Sequence, residues 1–313
     1  MAFAAAGCDA GTQDDRPASI GSPVTLVAQN IGAAITIPVT RADGTTPSSL
    51  ELAFDQLILP ASISRQTFVL TDLDGNIVLT QPAYDPVARV VSLTPDSPLT
   101  AGQAYTLTIV TPQGPTDPNG LRSIGGATLA PSSPTSITFV VKAGVQPDPT
   151  VAHTADFCKD VLPVFQESCG TASCHGGSLP AVGLSLDSAD ALAATAIGRT
   201  SEEANVGAVA SPPDSPGVVF GVDMAIIEPG AAADSWLMYK LLLAGAAPGA
   251  PPTAPATFDV SWKPIGEDAL GTLSELVPGS GMPFAPGPAL TLQQIETIGF
   301  WIDQGAPVVE GCE

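Results

Sequence analysis

Two spacings of apolar residues divide the chain. Within residues 20–142, short runs alternate apolar and polar positions: Leu50-Glu51-Leu52-Ala53-Phe54, Thr67-Phe68-Val69-Leu70, Arg89-Val90-Val91-Ser92-Leu93, Tyr105-Thr106-Leu107-Thr108-Ile109 and Ser136-Ile137-Thr138-Phe139-Val140. Successive side chains point to opposite faces of a strand, so a period of two buries one face of each run. Turn chemistry separates the runs at Asp74-Gly75-Asn76, Pro95-Asp96-Ser97 and Asn119-Gly120. Several short strands punctuated in this way predict an antiparallel β-sandwich.

Beyond Val151 the period lengthens to that of helices. Phe157, Val161, Leu162 and Phe165 predict a helix leading into Cys169, with Pro163 requiring a kink or a start near Asp160. A second helix fits 187–197, and a third begins near Asp234 with Leu237, Met238, Leu241 and Leu242 on one face. The last is the clearest. Thr291 and Gln294 form a capping box, Leu292, Ile295, Ile298, Trp301 and Ile302 supply the apolar face, and Gly305 and Pro307 end it. Residues 143–150, with Pro147 and Pro149, read as a linker, and 246–278 as a Pro/Ala-rich insertion.

Composition narrows the class. Of 313 residues, 44% are hydrophobic and only 13% charged, which excludes charge-driven disorder. No apolar run approaches the length of a membrane-spanning helix, so an integral protein is not expected. The net charge of −21 argues against nucleic acid, which requires clustered Lys and Arg. From Val151 onward 4 basic side chains face 19 acidic ones, a balance that favours solubility and would steer a basic partner.

The strand-rich half resembles bacterial Ig-like domains of surface proteins. Leu52-Ala53-Phe54-Asp55, the block Leu99-Thr100-Ala101-Gly102-Gln103-Ala104-Tyr105-Thr106-Leu107, Asp117-Pro118-Asn119-Gly120 and the closing Thr138-Phe139 carry the likeness. It implies a spacer or adhesive module. Asp72-Leu73-Asp74-Gly75 begins like a calcium loop but lacks further oxygen ligands, and a hairpin turn accounts for it.

Five cysteines remain to be placed. Small residues at 1–7 precede Cys8 and a polar run follows at 9–17, which resembles the end of a bacterial lipoprotein signal. The resemblance implies lipidation of Cys8, a membrane anchor through that lipid, and a tether over 1–19. There is no basic n-region, and a tail with an incidental cysteine is the alternative. Cys158 and Cys312 lie near the two ends of the second half; joined as a disulfide they would staple those ends.

Cys169-Gly170-Thr171-Ala172-Ser173-Cys174-His175 is the chemical centre. Two thiols close in sequence can form thioethers with heme vinyl groups, and a histidine directly after the second can meet the iron. Four residues separate the cysteines where two are usual, and Gly176-Gly177 let the backbone turn away. The surroundings resemble single-heme c-type cytochrome domains of bacterial surface proteins. The likeness is carried in order by Val161-Leu162-Pro163-Val164-Phe165, Gly183-Leu184-Ser185-Leu186-Asp187, Ile227-Glu228-Pro229-Gly230, Ser235-Trp236-Leu237-Met238-Tyr239-Lys240-Leu241, Gly281-Met282-Pro283 and Trp301-Ile302-Asp303-Gln304-Gly305-Ala306.

That resemblance implies heme c bound through Cys169, Cys174 and His175, with Met282 as the second iron ligand. It implies two domains: an all-β Ig-like sandwich at 20–142, then a mainly α cytochrome c-like domain at 151–313. An electron carrier in the periplasm or at the cell surface follows, rather than an enzyme, because two protein ligands close the iron to substrate. Its redox partner proteins are unspecified. Met238 and Met224 fit core packing better than ligation, His153 is the substitute ligand for a bis-histidine iron, and Trp262 would shield a heme edge or pack. Two rivals stay open. One is a structural or adhesive surface lipoprotein without heme, pairing Cys169 with Cys174; the other is zinc on Cys158, Cys169, Cys174 and His175.

Overall fold

The structure, a computed structural model, describes residues 21–33, 36–114, 116–146, 154–205, 220–247, 265–284 and 288–312. Cys8, His153 and Trp262 lie outside the described residues.

The strand-rich half forms two packed sheets. One has the order β1 (Leu26–Gln29), β3 (Leu50–Phe54), β7 (Val90–Pro95), β6 (Thr80–Asp85), with every neighbour antiparallel. The other runs β2 (Thr36–Arg41), β9 (Ser136–Gln146), β8 (Ala104–Ile109), β4 (Phe68–Asp72), β5 (Ile77–Val78). Its β2–β9 pair is parallel, so the sandwich is mixed and not wholly antiparallel. Strand β9 also extends to Gln146, four residues into the expected linker, because β2 pairs with it there.

Alternation holds where one face meets water: Tyr105, Leu107 and Ile109 of β8 and Ile137, Phe139 and Val141 of β9 are buried. It fails in β3, buried at all five positions. Leu50, Leu52 and Phe54 face the core between the sheets, while Ala53 packs with Ala88 and Val90 on the other side. The Tyr105 hydroxyl accepts from the Thr100 amide at 3.0 Å, a tyrosine-corner contact that fixes the 99–105 bend. Asp72 accepts from the Asp74 and Asn76 amides, which makes the acidic loop a closed hairpin turn.

The second half is a mixed region, not the mainly helical domain expected. Among the described residues, five α-helices, α1 (Leu162–Ser168), α2 (Ala189–Thr195), α3 (Trp236–Ala244), α4 (Glu267–Leu276) and α5 (Leu292–Asp303), are accompanied by isolated β-bridges such as Ile197 with Ile227 and Ala247 with Thr291. A bridge of one residue pair leaves no period to read. Pro163 is accommodated in the first turn of α1, after a π-helical turn at Phe157–Val161 capped by Asp156. The capping box of Thr291 and Gln294 begins α5. Helix α4 lies inside the expected insertion and buries Ala269, Leu273 and Leu276.

Trp301, fully buried, stacks on Phe157 at 5.7 Å and meets Phe165 edge-on at 5.9 Å, tying α5 to α1. The halves are not beads on a linker. Leu57, Leu59, Val87 and Ile124 of the sandwich join the second core, and Ala233 joins the first. Among the described residues no helix is long and apolar enough to cross a membrane.

Candidate functional site

Helix α1 delivers Cys169 to the site. The Cys169 amide donates to the Phe165 carbonyl at 2.9 Å, ending the helix at the cysteine. The chain then closes on itself, because the His175 amide returns to the Cys169 carbonyl at 2.9 Å and Cys174 donates to Thr171 at 2.9 Å. Gly176 makes the closure possible. Its Cα rests on the Gly170 carbonyl, where a Cβ has no room. Gly177 turns with φ +73° and donates to the Asp187 carboxylate at 2.9 Å, which holds that carboxyl below its usual range.

His175 is buried beneath this loop, and its Nδ1 lies 3.2 Å from the Leu184 carbonyl oxygen. A carbonyl only accepts, so Nδ1 carries the proton and Nε2 the lone pair. Burial pushes the imidazole's proton affinity down, against the opposing pull of the Leu184 and Ala181 backbone and of Glu203. The ring is therefore poised as a neutral donor of an electron pair.

Cys169 and Cys174 are both free thiols, whereas Cys158 is bonded to Cys312 with Cα atoms 5.2 Å apart. Burial, with a smaller contribution from Cys174, pushes the Cys169 thiol up to about 12. Cys174 is half-buried. The bond to Cys312 removes Cys158 from any zinc set, and among the described residues no group of three or more His, Cys, Asp or Glu is placed to hold a metal ion.

Met282, half-buried, sits on a loop docked on α3, with its amide donating to the Lys240 carbonyl at 2.9 Å. Gly281 lies so close to the backbone of Leu243 and Ala244 that no side chain fits. The Lys240 ammonium bonds the Pro278 carbonyl at 2.6 Å, the Ser280 carbonyl at 3.3 Å and the Glu203 carboxylate at 2.6 Å. Trp236 Nε1 also reaches Glu203, at 3.3 Å. Glu203 raises and Lys240 lowers the proton affinity of His175, which links the Lys240 cluster electrostatically to that ring.

Sequence reasoning passed over Lys240 and Glu203. The signal was present in Lys240, a lone cation in an otherwise apolar helix whose residues 236–242 are all buried. Met238 is fully buried against Gly299 of α5, a packing role. Met224 lines a cleft of about 380 Å³ between the halves, with Leu59, Glu228 and Asp234.

Residues 32–141 match the family of bacterial Ig-like domains, and this stretch of the chain is such a domain. The match covers roughly a third of the chain. Among solved structures, the N-terminal part of the bacterial S-layer protein SbsC is similar at 14% identity over 39% of this chain and 24% of that one, with a TM-score of 0.27. CopC from Methylosinus trichosporium OB3b is similar at 16% identity over 41% of this chain and 99% of that one, TM-score 0.23. PcoC, a methionine rich copper resistance protein from Escherichia coli, is similar at 14% over 39% and 100%, TM-score 0.23. The chain thus spans only about a quarter of the SbsC fragment. No curated protein matches it.

Proposed function

We propose that the second half holds one heme c, with thioethers at Cys169 and Cys174 and the iron between His175 and Met282, and that the chain carries single electrons outside the cytoplasm. The observation that carries this reading is the division of labour among four cysteines. Cys158 and Cys312 are joined to each other, while Cys169 and Cys174 stay as thiols beside an imidazole aimed by a backbone carbonyl. An axial histidine whose other nitrogen donates to a carbonyl has its tautomer and ring plane set in advance. Two free thiols and a neutral imidazole are the donor types that heme c takes.

When bound, heme supplies a one-electron iron couple, and a thioether opposite imidazole favours the ferrous form. The chain's own residues do the rest. Leu184 orients His175, Trp301 and Phe165 are buried in the core that leads into Cys169, and the 278–282 loop that carries Met282 is docked on α3. Were His175 and Met282 both to hold the iron, no position would be left for a substrate, and the group would supply outer-sphere electron transfer to a protein partner. A disulfide and a bacterial Ig-like domain both suit the periplasm or the cell surface, and lipidation at Cys8 would anchor the chain there. The acidic surface fits a basic redox partner.

The Ig-like match favours a second reading, a structural or adhesive surface protein whose second half stays heme-free. One experiment separates the two. Protein made alongside a heme-attachment system is expected to show a Soret band that survives acid-acetone extraction. Loss of the band on extraction, or none at all, overturns the heme reading in favour of the second.

A further inference from the structure

Lys240 is anomalous. It is a buried ammonium in a helix that is otherwise apolar on every side. Lys has three N–H donors, and here each has one acceptor: the Glu203 carboxylate and the carbonyls of Pro278 and Ser280. Two of the three acceptors belong to the loop that carries Met282. The main chain of the same residue holds that loop again, since the Lys240 carbonyl accepts from the Met282 amide at 2.9 Å. Gly281, pressed onto the backbone of Leu243 and Ala244, lets the loop come close enough for these bonds to form. Glu203, half-buried and bonded by Trp236, keeps the ammonium from turning away.

We propose that Lys240 is the positioning residue for Met282: through its ammonium and its carbonyl it clamps residues 278–282 onto α3 so that the thioether is held toward the site of His175. The inference rests on the heme reading above and adds to it the group that sets how firmly the second ligand is presented. A thioether is a weak, neutral ligand and must be held in place by its loop. The strength of the clamp therefore sets the fraction of molecules with sulfur on iron, and with it the potential.

The test uses the full chain with heme attached, comparing the natural sequence with Lys240→Met, Lys240→Arg and Glu203→Gln. Lys240→Met keeps an unbranched apolar stem and removes only the ammonium. It is expected to retain covalent heme, because Cys169, Cys174 and His175 are untouched. It should lose the ferric sulfur-to-iron charge-transfer band, bind added imidazole, and show a lower midpoint potential. Lys240→Arg, which keeps charge and donors, should restore the band in part. In the heme-free chain, amide exchange at Met282 should quicken roughly tenfold in Lys240→Met, the factor that one net hydrogen bond represents. A folded Lys240→Met protein with the natural band, potential and exchange rate overturns the proposal. If Lys240→Met does not fold, Glu203→Gln decides: a weakened band supports the clamp, and an unchanged one overturns it. Absence of covalent heme in the natural sequence overturns the heme reading itself, a result distinct from either.

Discussion

The Leu184 carbonyl oxygen stands 3.2 Å from Nδ1 of the buried His175 ring. This contact selects one tautomer, with the proton on Nδ1. Nitrogen-detected NMR on the heme-free chain at neutral pH should find His175 neutral and in that tautomer, in keeping with the downward push that burial exerts on its protonation. A neutral ring protonated on Nε2 would show that Leu184 does not set the orientation, and an imidazolium would show that burial does not lower the proton affinity of the ring.

The thiols should separate by accessibility. Cys169 is buried and its thiol is pushed up to about 12, while Cys174 is half-buried. Only a thiolate attacks an alkylating reagent. In the folded heme-free chain, iodoacetamide should modify Cys174 well before Cys169, and mass spectrometry of timed samples reads the order. Unfolding without reductant should expose both and leave Cys158 and Cys312 unlabelled.

The Cys158–Cys312 bond closes a separation of 154 residues. Cross-linking so long a loop removes much entropy from the unfolded chain. The double variant Cys158→Ala with Cys312→Ala should lose about 2–4 kcal/mol in urea unfolding. A loss below the error of the extrapolation would mean that the ends of the second half hold together without it.

Two adjacent glycines should differ. Gly176 has no room for a Cβ against the Gly170 carbonyl, whereas Gly177 has space and only a positive φ. Gly177→Ala should cost about 1–2 kcal/mol, the strain of a left-handed alanine. Gly176→Ala instead forces a collision with backbone, should cost more than Gly177→Ala, at the top of the roughly 1–3 kcal/mol typical of overpacking, and should also open the bond from His175 to Cys169. Equal losses in denaturant midpoints would contradict the tight loop.

Burial raises the Asp303 carboxyl from the usual 3.8 to about 6, despite the bond it accepts from the Ala232 amide. Between those values the unfolded chain gives up its proton first, so the folded state loses stability as pH rises through that window. The residue is nonetheless exposed to solvent, which screens the effect, so the loss is well below the roughly 3 kcal/mol that an unscreened shift would carry. Asp303→Asn keeps an acceptor for Ala232 and does not titrate. Its stability relative to the natural chain should grow from about pH 4 to about pH 6 and then level off. A constant difference across that range would show that Asp303 titrates normally.

Much of the frame was legible in the chain. Strands β3, β4, β7, β8 and β9 and helices α1, α2, α3 and α5 lie where the spacing predicts them, and most of them bury one periodic face, β3 and α3 being buried all round. Strand β6 (Thr80–Asp85) escaped because Pro82 breaks its pattern, and α4 because Pro- and Ala-rich sequence surrounds it.

What the sequence determined by itself is local: the periods, the capping box of α5, the turn glycines, and two thiols beside a histidine. The tertiary structure alone decided which distant groups meet. The parallel β2–β9 pair, the shared core of the two halves, and the convergence of Lys240, Glu203 and the 278–282 loop all join residues far apart in the chain. A period records only which face of an element is buried. It cannot name the partner across the contact, because many faces are equally apolar and only packing of the whole chain selects among them.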